Sequence, residues 1–263
     1  MRGALEEVAV TDPISSRLFG AGGMPYAGSK ALESAVATPL EHDQLAQAAI
    51  APIERGMVVG LGTGQRSTRA IRALAQRVQR EQLDIRCVAT SLATEQLAKQ
   101  LGLPLVAFDG VESVDYLFDG ADEVDHDLRM MKGQHGAITR QRLVAQVAKH
   151  ATYLTSEDKV VDHLGSKALL AVIIIPFGVA SIRARLRNLG LSGVVRTNHE
   201  GEVLITDGGG VVLDMRIAGR DVEELASELD HVAGVVDHGL FLAEANQVLI
   251  ESKGGQVVSR HAQ

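Results

Sequence analysis

Apolar positions along the chain switch between helical and strand spacing from about residue 41 onward. LAQAAIAPI carries an apolar helical face that Gly56 stops, and MVVGLG then reads as a buried strand running into a glycine turn. STRAIRALAQRVQR returns to helical spacing, with Ile71, Leu74 and Val78 on one face. IRCVAT predicts a strand, SLATEQLAKQLG a helix ended by Gly102, LPLVAF a strand, and VDYLFDG a strand and loop. TRQRLVAQVAKH predicts a helix capped by Thr139 with Leu143, Val144 and Val147 toward the core, and ATYLT another strand. Strands alternating with helices of this length predict an α/β fold, a mainly parallel sheet covered by helices, whose ligands bind beyond the carboxyl ends of the strands.

The pattern changes near Ala168. LLAVIIIPF is a strand, ASIRARLRNLG a helix, VVRT, EVLITD and VVLDMRI three strand candidates, and VEELASELD a helix before HVAGVVDHG. A strand, a helix, further strands and a second helix suggest a smaller ferredoxin-like α+β domain over 168–239. The main α/β domain then spans 41–167 and 240–258, with VLIES returning to its sheet. Residues 1–40 form an N-terminal extension with weak periodicity, and Gly20 to Ser29 has loop composition.

Composition narrows the function. The 263 residues include 33 acidic and 26 basic side chains, a net charge of -7, and only 3% aromatics with no Trp. That balance argues against a nucleic-acid or anionic-membrane partner. The single Cys87 excludes an internal disulfide and reads as an inert core thiol. No apolar run approaches the length of a membrane span and no signal-like start is present, so a soluble cytoplasmic protein is expected.

Three segments carry candidate chemistry. Gly60 to Gly64, GLGTG, lies between a strand and a helix, where backbone N–H groups and the helix dipole suit an anion; a tight structural turn is the alternative. Arg66, Ser67 and Thr68 follow as apt phosphate donors. DGADEVD places Asp119 and Asp122 where they could hold sugar hydroxyls or relay protons, or simply form a solvated turn. MKGQHGAITR supplies Lys132, able to stabilise an enediolate, and His135, a natural base near neutral pH. Lys159 is either a second cation at the site or a surface lysine. Asp119, Asp122, His126 and His135 are metal-capable donors, but no ligand spacing links them, and no metal or other cofactor is expected.

GLGTG, TSLATEQLAKQLGLPL, DGADEVD with MKG, ITR and LVA, then DKVVDHLG and TDGGGVVLD occur in one order. In that order and spacing the chain resembles the type A ribose-5-phosphate isomerases over roughly residues 42–253. The resemblance implies a metal-free aldose–ketose isomerase interconverting ribose 5-phosphate and ribulose 5-phosphate through an enediolate, assembled as a homodimer or homotetramer. It implies that Asp119 and Asp122 assist ring opening and proton relay, that Lys132 stabilises negative charge, and that Lys159 and the Thr63–Gly64 loop hold the substrate. The catalytic candidates are thus Asp119, Asp122, Lys132, His135 and the position of Gln141. The substrate-binding candidates are Gly62, Thr63, Gly64, Gln65, Arg66, Ser67, Gly133 and Lys159.

The departures from the family pattern concentrate at the site. Thr-Arg-Glu-Lys, whose Glu shuttles the proton, is Thr139-Arg140-Gln141-Arg142 here, and an amide cannot accept and return a proton at useful pKa. Gly-Gly-Gly after the lysine is Gly133-Gln134-His135, and Gly-Thr-Gly-Ser-Thr is Gly62-Thr63-Gly64-Gln65-Arg66. Ile173 stands where a small-domain strand usually has Glu, and Thr-Asp-Asn-Gly-Asn is Thr206 to Gly210, TDGGG. Three outcomes stay open: isomerisation with His135 or Asp119 as base, another reaction on a sugar phosphate such as epimerisation, dehydration or transfer, or noncatalytic sugar-phosphate binding.

Overall fold

The computed structural model describes residues 42–262, so the extension 1–40 and its glycine-rich stretch lie outside the described residues. Helix α1 (Gln44–Ile50) is capped by Asp43, whose carboxylate accepts from the Ala46 amide at 3.0 Å. Strand β1 (Val58–Leu61) is buried throughout and feeds α2 (Gln65–Glu81), which packs Ile71 and Leu74 into the core. Burying such side chains stabilises the fold by roughly 1.5–3 kcal/mol each. Strand β2 (Arg86–Ala89), α3 (Leu92–Gln100), β3 (Tyr116–Gly120) and α4 (Ile138–Gln146) continue the alternation. Strand β6 (Ala151–Ser156) follows the short β4 (Glu123–Val124) and β5 (Met130–Met131).

The main sheet has the order β13-β12-β6-β3-β1-β2, with β12 (Gln247–Glu251) parallel to β6 and β13 (Val257–His261) an antiparallel edge. The chain runs from β1 outward to β2 and then crosses to β3 on the other side of β1. A crevice therefore opens at the carboxyl ends of β1 and β3, where the strand order reverses. Arg69 ties the periphery together: Nε lies 2.6 Å from Asp43, and Nη1 and Nη2 donate to the two oxygens of Glu251 at 2.8 and 2.6 Å.

The second sheet takes the order β10-β7-β9-β8, antiparallel throughout, from β7 (Leu170–Ile174), α5 (Val179–Asn188), β8 (Gly193–Val195), β9 (Val211–Met215), α6 (Val222–Asp230) and β10 (Val235–His238). That is the βαββαβ order of a ferredoxin-like unit. A three-stranded sheet of β11 (Leu240–Phe241), β5 and β4 joins the two. At this junction Glu123, 1% exposed, accepts the amides of Gly165, Lys167 and Ala168 and so fixes the crossover into β7.

Four expectations are corrected. LPLVAF forms no strand: Pro104 lacks an N–H for a ladder, Leu105 makes a single bridge to Cys87, and the chain turns into a 3-10 helix at Phe108–Gly110. EVLITD is likewise only two bridges, because residues 205–211 fold on themselves through the Thr206 amide and Gly210 carbonyl at 2.9 Å. Leu143 is 47% exposed, since α4 packs through Ile138, Gln141, Val144 and Ala145, and position 143 lies about 200° round from 141. Thr139 does not cap α4, which begins one residue earlier with Ala137 at the cap position and no side-chain bond. Cys87 is buried, and burial raises its thiol pKa to about 12, so it stays protonated at neutral pH.

His238, on β10, supplies a stability prediction. Its Nδ1 accepts the Leu240 amide at 3.2 Å and its Nε2 lies 3.2 Å from Asp230 Oδ1, which suits a neutral ring carrying its proton on Nε2. Burial, reinforced by the neighbouring Arg142 and opposed by Asp230 and Asp237, holds its pKa below the ordinary imidazole value. The unfolded chain then takes up a proton first, and stability is lost as pH falls below about 6.5 through the folded pKa. In His238→Gln, urea midpoints measured at pH 7.5 and 5 should differ less than in the wild type; an unchanged difference would remove His238 from the acid response.

Candidate active site

The crevice is a cleft of about 440 Å³, walled by the segments that follow β1, β2, β3, β5 and β6. Thr63, Gly64, Gln65 and Arg66 line one side, Gly120 and Asp122 the floor, Lys132 to His135 another wall, and Gln141 and Lys159 complete it.

The loop after β1 needs its glycine. A Cβ on Gly62 would stand 2.4 Å from the Asp119 Cα, so only Gly lets the two strand ends approach this closely. Thr63 turns its Oγ1 onto a hydroxyl cluster, 2.9 Å from Thr90, 2.8 Å from Ser91 and 3.1 Å from Thr94, which ties the loop to the start of α3. Helix α2 has no side-chain cap, leaving the first-turn amides free of intrahelical partners at the cleft edge. Ser67 departs from its expected role. It is fully buried, its hydroxyl is 3.4 Å from the Thr63 carbonyl, and Thr68 lines the cleft in its place.

Arg66 is held differently from Arg69. Both oxygens of Glu251 are taken by Arg69, so Arg66 Nε stands 3.8 Å from Glu251 and is buried without a hydrogen-bond partner. Burial pulls the Arg66 pKa down, Glu251 and Asp158 oppose that, and Arg69 adds to it.

Asp119 is part of β3 rather than the loop after it, and stands behind the cleft wall at 0% exposure. Oδ1 accepts the amides of Thr63 at 2.9 Å and Gly120 at 2.7 Å, while Oδ2 accepts Gln141 Nε2 at 2.9 Å and lies 3.1 Å from Lys132 Nζ. Lys132 follows β5, is 3% exposed, donates to the Gly120 carbonyl, and sits 5.2 Å from the Tyr153 ring centre and 5.5 Å from that of Phe241. A buried ammonium is thus fixed by one carboxylate, one carbonyl and two ring faces, with its outer side toward the cleft.

Asp122 accepts the Gln134 amide at 2.9 Å, with Lys159 Nζ 3.8 Å from its other oxygen. Gly133 permits the turn between them: its φ is +120°, and a Cβ would meet Ala171 at 2.7 Å. The His135 ring overhangs Gly64, where a Cβ would come within 3.1 Å of its Cε1. His135 is an exposed residue lining the cleft, yet the protein packed around its ring lowers its pKa by desolvation. Asp122 and Asp119 oppose that shift, while Lys132 and Lys159 add to it. At neutral pH the imidazole is uncharged and able to accept a proton.

Of the proposed metal donors, His126 pairs instead with exposed Asp162 at 3.0 Å. Among the described residues no group of three or more metal-capable side chains gathers, and no helix is long and apolar enough to cross a membrane. The sequence reading missed Thr94, Ser156 and Asp158 in the cleft lining. The signal was available, because Ser156 ends β6 and Thr94 follows β2, both at the carboxyl edge of the parallel sheet.

Comparisons with known proteins show the family. The family model for ribose 5-phosphate isomerase A (phosphoriboisomerase A) matches residues 86–255. Ribose-5-phosphate isomerase A from Desulfatibacillum aliphaticivorans is 39% identical over 81% of this chain and 93% of its own length. The Lactococcus lactis protein of the same name is 38% identical over 79% and 93%. Among solved structures, ribose 5-phosphate isomerase A from Methanocaldococcus jannaschii superposes with a TM-score of 0.79 at 33% identity, covering 84% of this chain and 98% of that one. A D-ribose-5-phosphate isomerase in complex with phospho-erythronic acid gives 0.79 at 29% identity, over 86% and 100%. The chain belongs to the ribose-5-phosphate isomerase A family.

Proposed function

We propose that this chain interconverts ribose 5-phosphate and ribulose 5-phosphate through an enediolate, with His135 in place of the family's glutamate as the proton shuttle. The observation that carries the reading is the buried Lys132–Asp119 pair, 3.1 Å apart, opening on the same cleft as the Gly64 turn and the His135 ring. On this reading Lys132 stabilises the oxyanion, because a preorganised cation in a water-poor wall needs no reorientation as charge develops. The neutral His135 takes the proton from C2 and returns it to C1. Asp122, on the cleft floor, moves the hydroxyl proton during ring opening. Asp119 fixes the ammonium and the Thr63 turn from behind, and its four donors argue against a role as the base.

The substrate phosphate is assigned to the start of α2, whose first-turn amides have no intrahelical partners and where the Arg66 side chain lines the cleft. Charge-assisted hydrogen bonds contribute about 1.5–3 kcal/mol. Arg66→Ala should therefore raise KM for ribose 5-phosphate by roughly 10- to 100-fold and leave kcat within a few-fold. A KM equal to the wild type would move the phosphate elsewhere.

The reaction itself is tested by NMR of the purified protein with ribose 5-phosphate in deuterated water. The expected outcome is ribulose 5-phosphate together with solvent-derived deuterium in the sugar. Binding with neither product nor label would reject isomerisation of this sugar and leave the noncatalytic reading, which the amide at Gln141 favours.

A further inference from the structure

We propose that Arg196, which lies outside the cleft, is a positioning residue that sets the Lys132–His135 loop from the small sheet. The inference rests on the isomerase reading above for its consequence, but its geometry is independent of it.

The loop's amides are held by its own neighbourhood. The Lys132 amide donates to the Gly239 carbonyl at 2.8 Å, the Gln134 amide to Asp122, and the Gly136 amide to the Gly133 carbonyl at 3.0 Å. One side chain from outside the loop also holds two of its carbonyls. Arg196 Nη1 donates to the Gly133 carbonyl at 2.6 Å and to the Gln134 carbonyl at 3.0 Å. The opposite edge of the same guanidinium is locked to Asp214 on β9, Nε to Oδ2 at 2.9 Å and Nη2 to Oδ1 at 2.5 Å. The Arg196 main chain is itself fixed, donating to the Val212 carbonyl and accepting from the Leu204 amide, both at 2.9 Å.

A planar fork used on both edges acts as a rigid spacer between β9 and the loop, and a lysine cannot reproduce it. Its side chain is 17% exposed and Asp214 is 19%, so water does not readily replace either contact. Gly133 and Gly136 bracket the Gln134-His135 tip, and both adopt positive φ, +120° and +72°. Without Arg196 the Gln134 carbonyl loses its donor and the Gly133 carbonyl keeps only the Gly136 amide, so the tip is untied from β9 and His135 is free to leave its place over Gly64. A displacement of about 1 Å in a reacting group costs on the order of 10²-fold in rate.

Two measurements test this together. Arg196→Met should lower kcat for ribose 5-phosphate by about 10²-fold with a much smaller change in KM. Arg196→Met combined with His135→Asn should be no slower than His135→Asn alone, since Arg196 acts through that ring. The second measurement needs no turnover: the His135 ring is titrated by NMR in the ligand-free protein. In Arg196→Met its midpoint should rise toward the ordinary imidazole value of about 6.5, because a ring released from its place over Gly64 leaves the packing and the lysines that depress it. Arg220→Met is the control, removing a comparable side chain that pairs with Glu228 and the Leu189 carbonyl of the small domain, and should leave the His135 titration unchanged.

An unmoved midpoint in Arg196→Met, an equal shift in Arg220→Met, or independent multiplication of the two kinetic effects would overturn the assignment. If the wild type fails to isomerise the sugar, the functional reading falls while the titration still decides Arg196.

Discussion

Lys132→Met is expected to lower kcat for ribose 5-phosphate by about 10²–10³-fold, the scale of losing one preorganised oxyanion donor. The same substitution should also destabilise the protein. It leaves the Asp119 carboxylate, at 0% exposure, without the ammonium 3.1 Å away. Breaking a buried pair from one side costs about 3–5 kcal/mol. The amides of Thr63 and Gly120 and the Gln141 side chain still donate to Asp119, which places the expected loss at the lower end. Against a total stability of about 5–15 kcal/mol the variant should fold, with a reduced urea midpoint. Lys132→Met with Asp119→Asn removes the orphaned charge and should recover part of that midpoint without recovering activity. Wild-type turnover in the single variant would end the oxyanion assignment; recovery of activity in the double variant would do the same.

The second large effect is at His135. Acid–base assistance contributes about 10²–10⁴-fold, so His135→Asn should lose that much in kcat while KM changes little. Neither neighbouring candidate can substitute. Gln141 is an amide whose nitrogen donates to Asp119, and Asp119 is saturated behind the wall. The pH dependence follows from the ring's environment. Desolvation lowers the His135 pKa, Asp122 and Asp119 partly restore it, and Lys132 and Lys159 lower it further. The base form is neutral imidazole, so kcat/KM should be level at pH 7 and fall only below about 6.5, as pH drops through the depressed value. An acid limb that persists unchanged in His135→Asn would assign it to another group, with Asp122 the next to test.

The order of the main sheet's elements was legible because each carries its own period. The helical face of Ile71, Leu74 and Val78 and the unbroken apolar VVGL of β1 are local signals. So was the ferredoxin-like unit, whose strands and helices alternate in the same way. The errors came where pairing depends on distant partners. LPLVAF and EVLITD have strand composition, yet Pro104 and the turn at Thr206 to Gly210 leave each with bridges only. Leu143 looked interior because a short helix presents too few residues to fix its phase.

By itself the sequence determined the family, the fold class, and the segments that supply the cleft, since motif order and hydrophobic period are properties of the chain. Tertiary structure alone decided what each candidate can do. It put Asp119 behind the wall with Gln141 bonded to it, and turned Ser67 away from the cleft. It left Arg66 Nε without a hydrogen bond and only an ion pair to the Glu251 that Arg69 claims, and it reached the His135 loop with Arg196 from 62 and 63 residues further along the chain. The physical reason is common to all four. Hydrogen bonding, desolvation and charge pairing fall off within a few ångströms, so they are set by which segments the fold brings into contact, and no local spacing in the sequence encodes that.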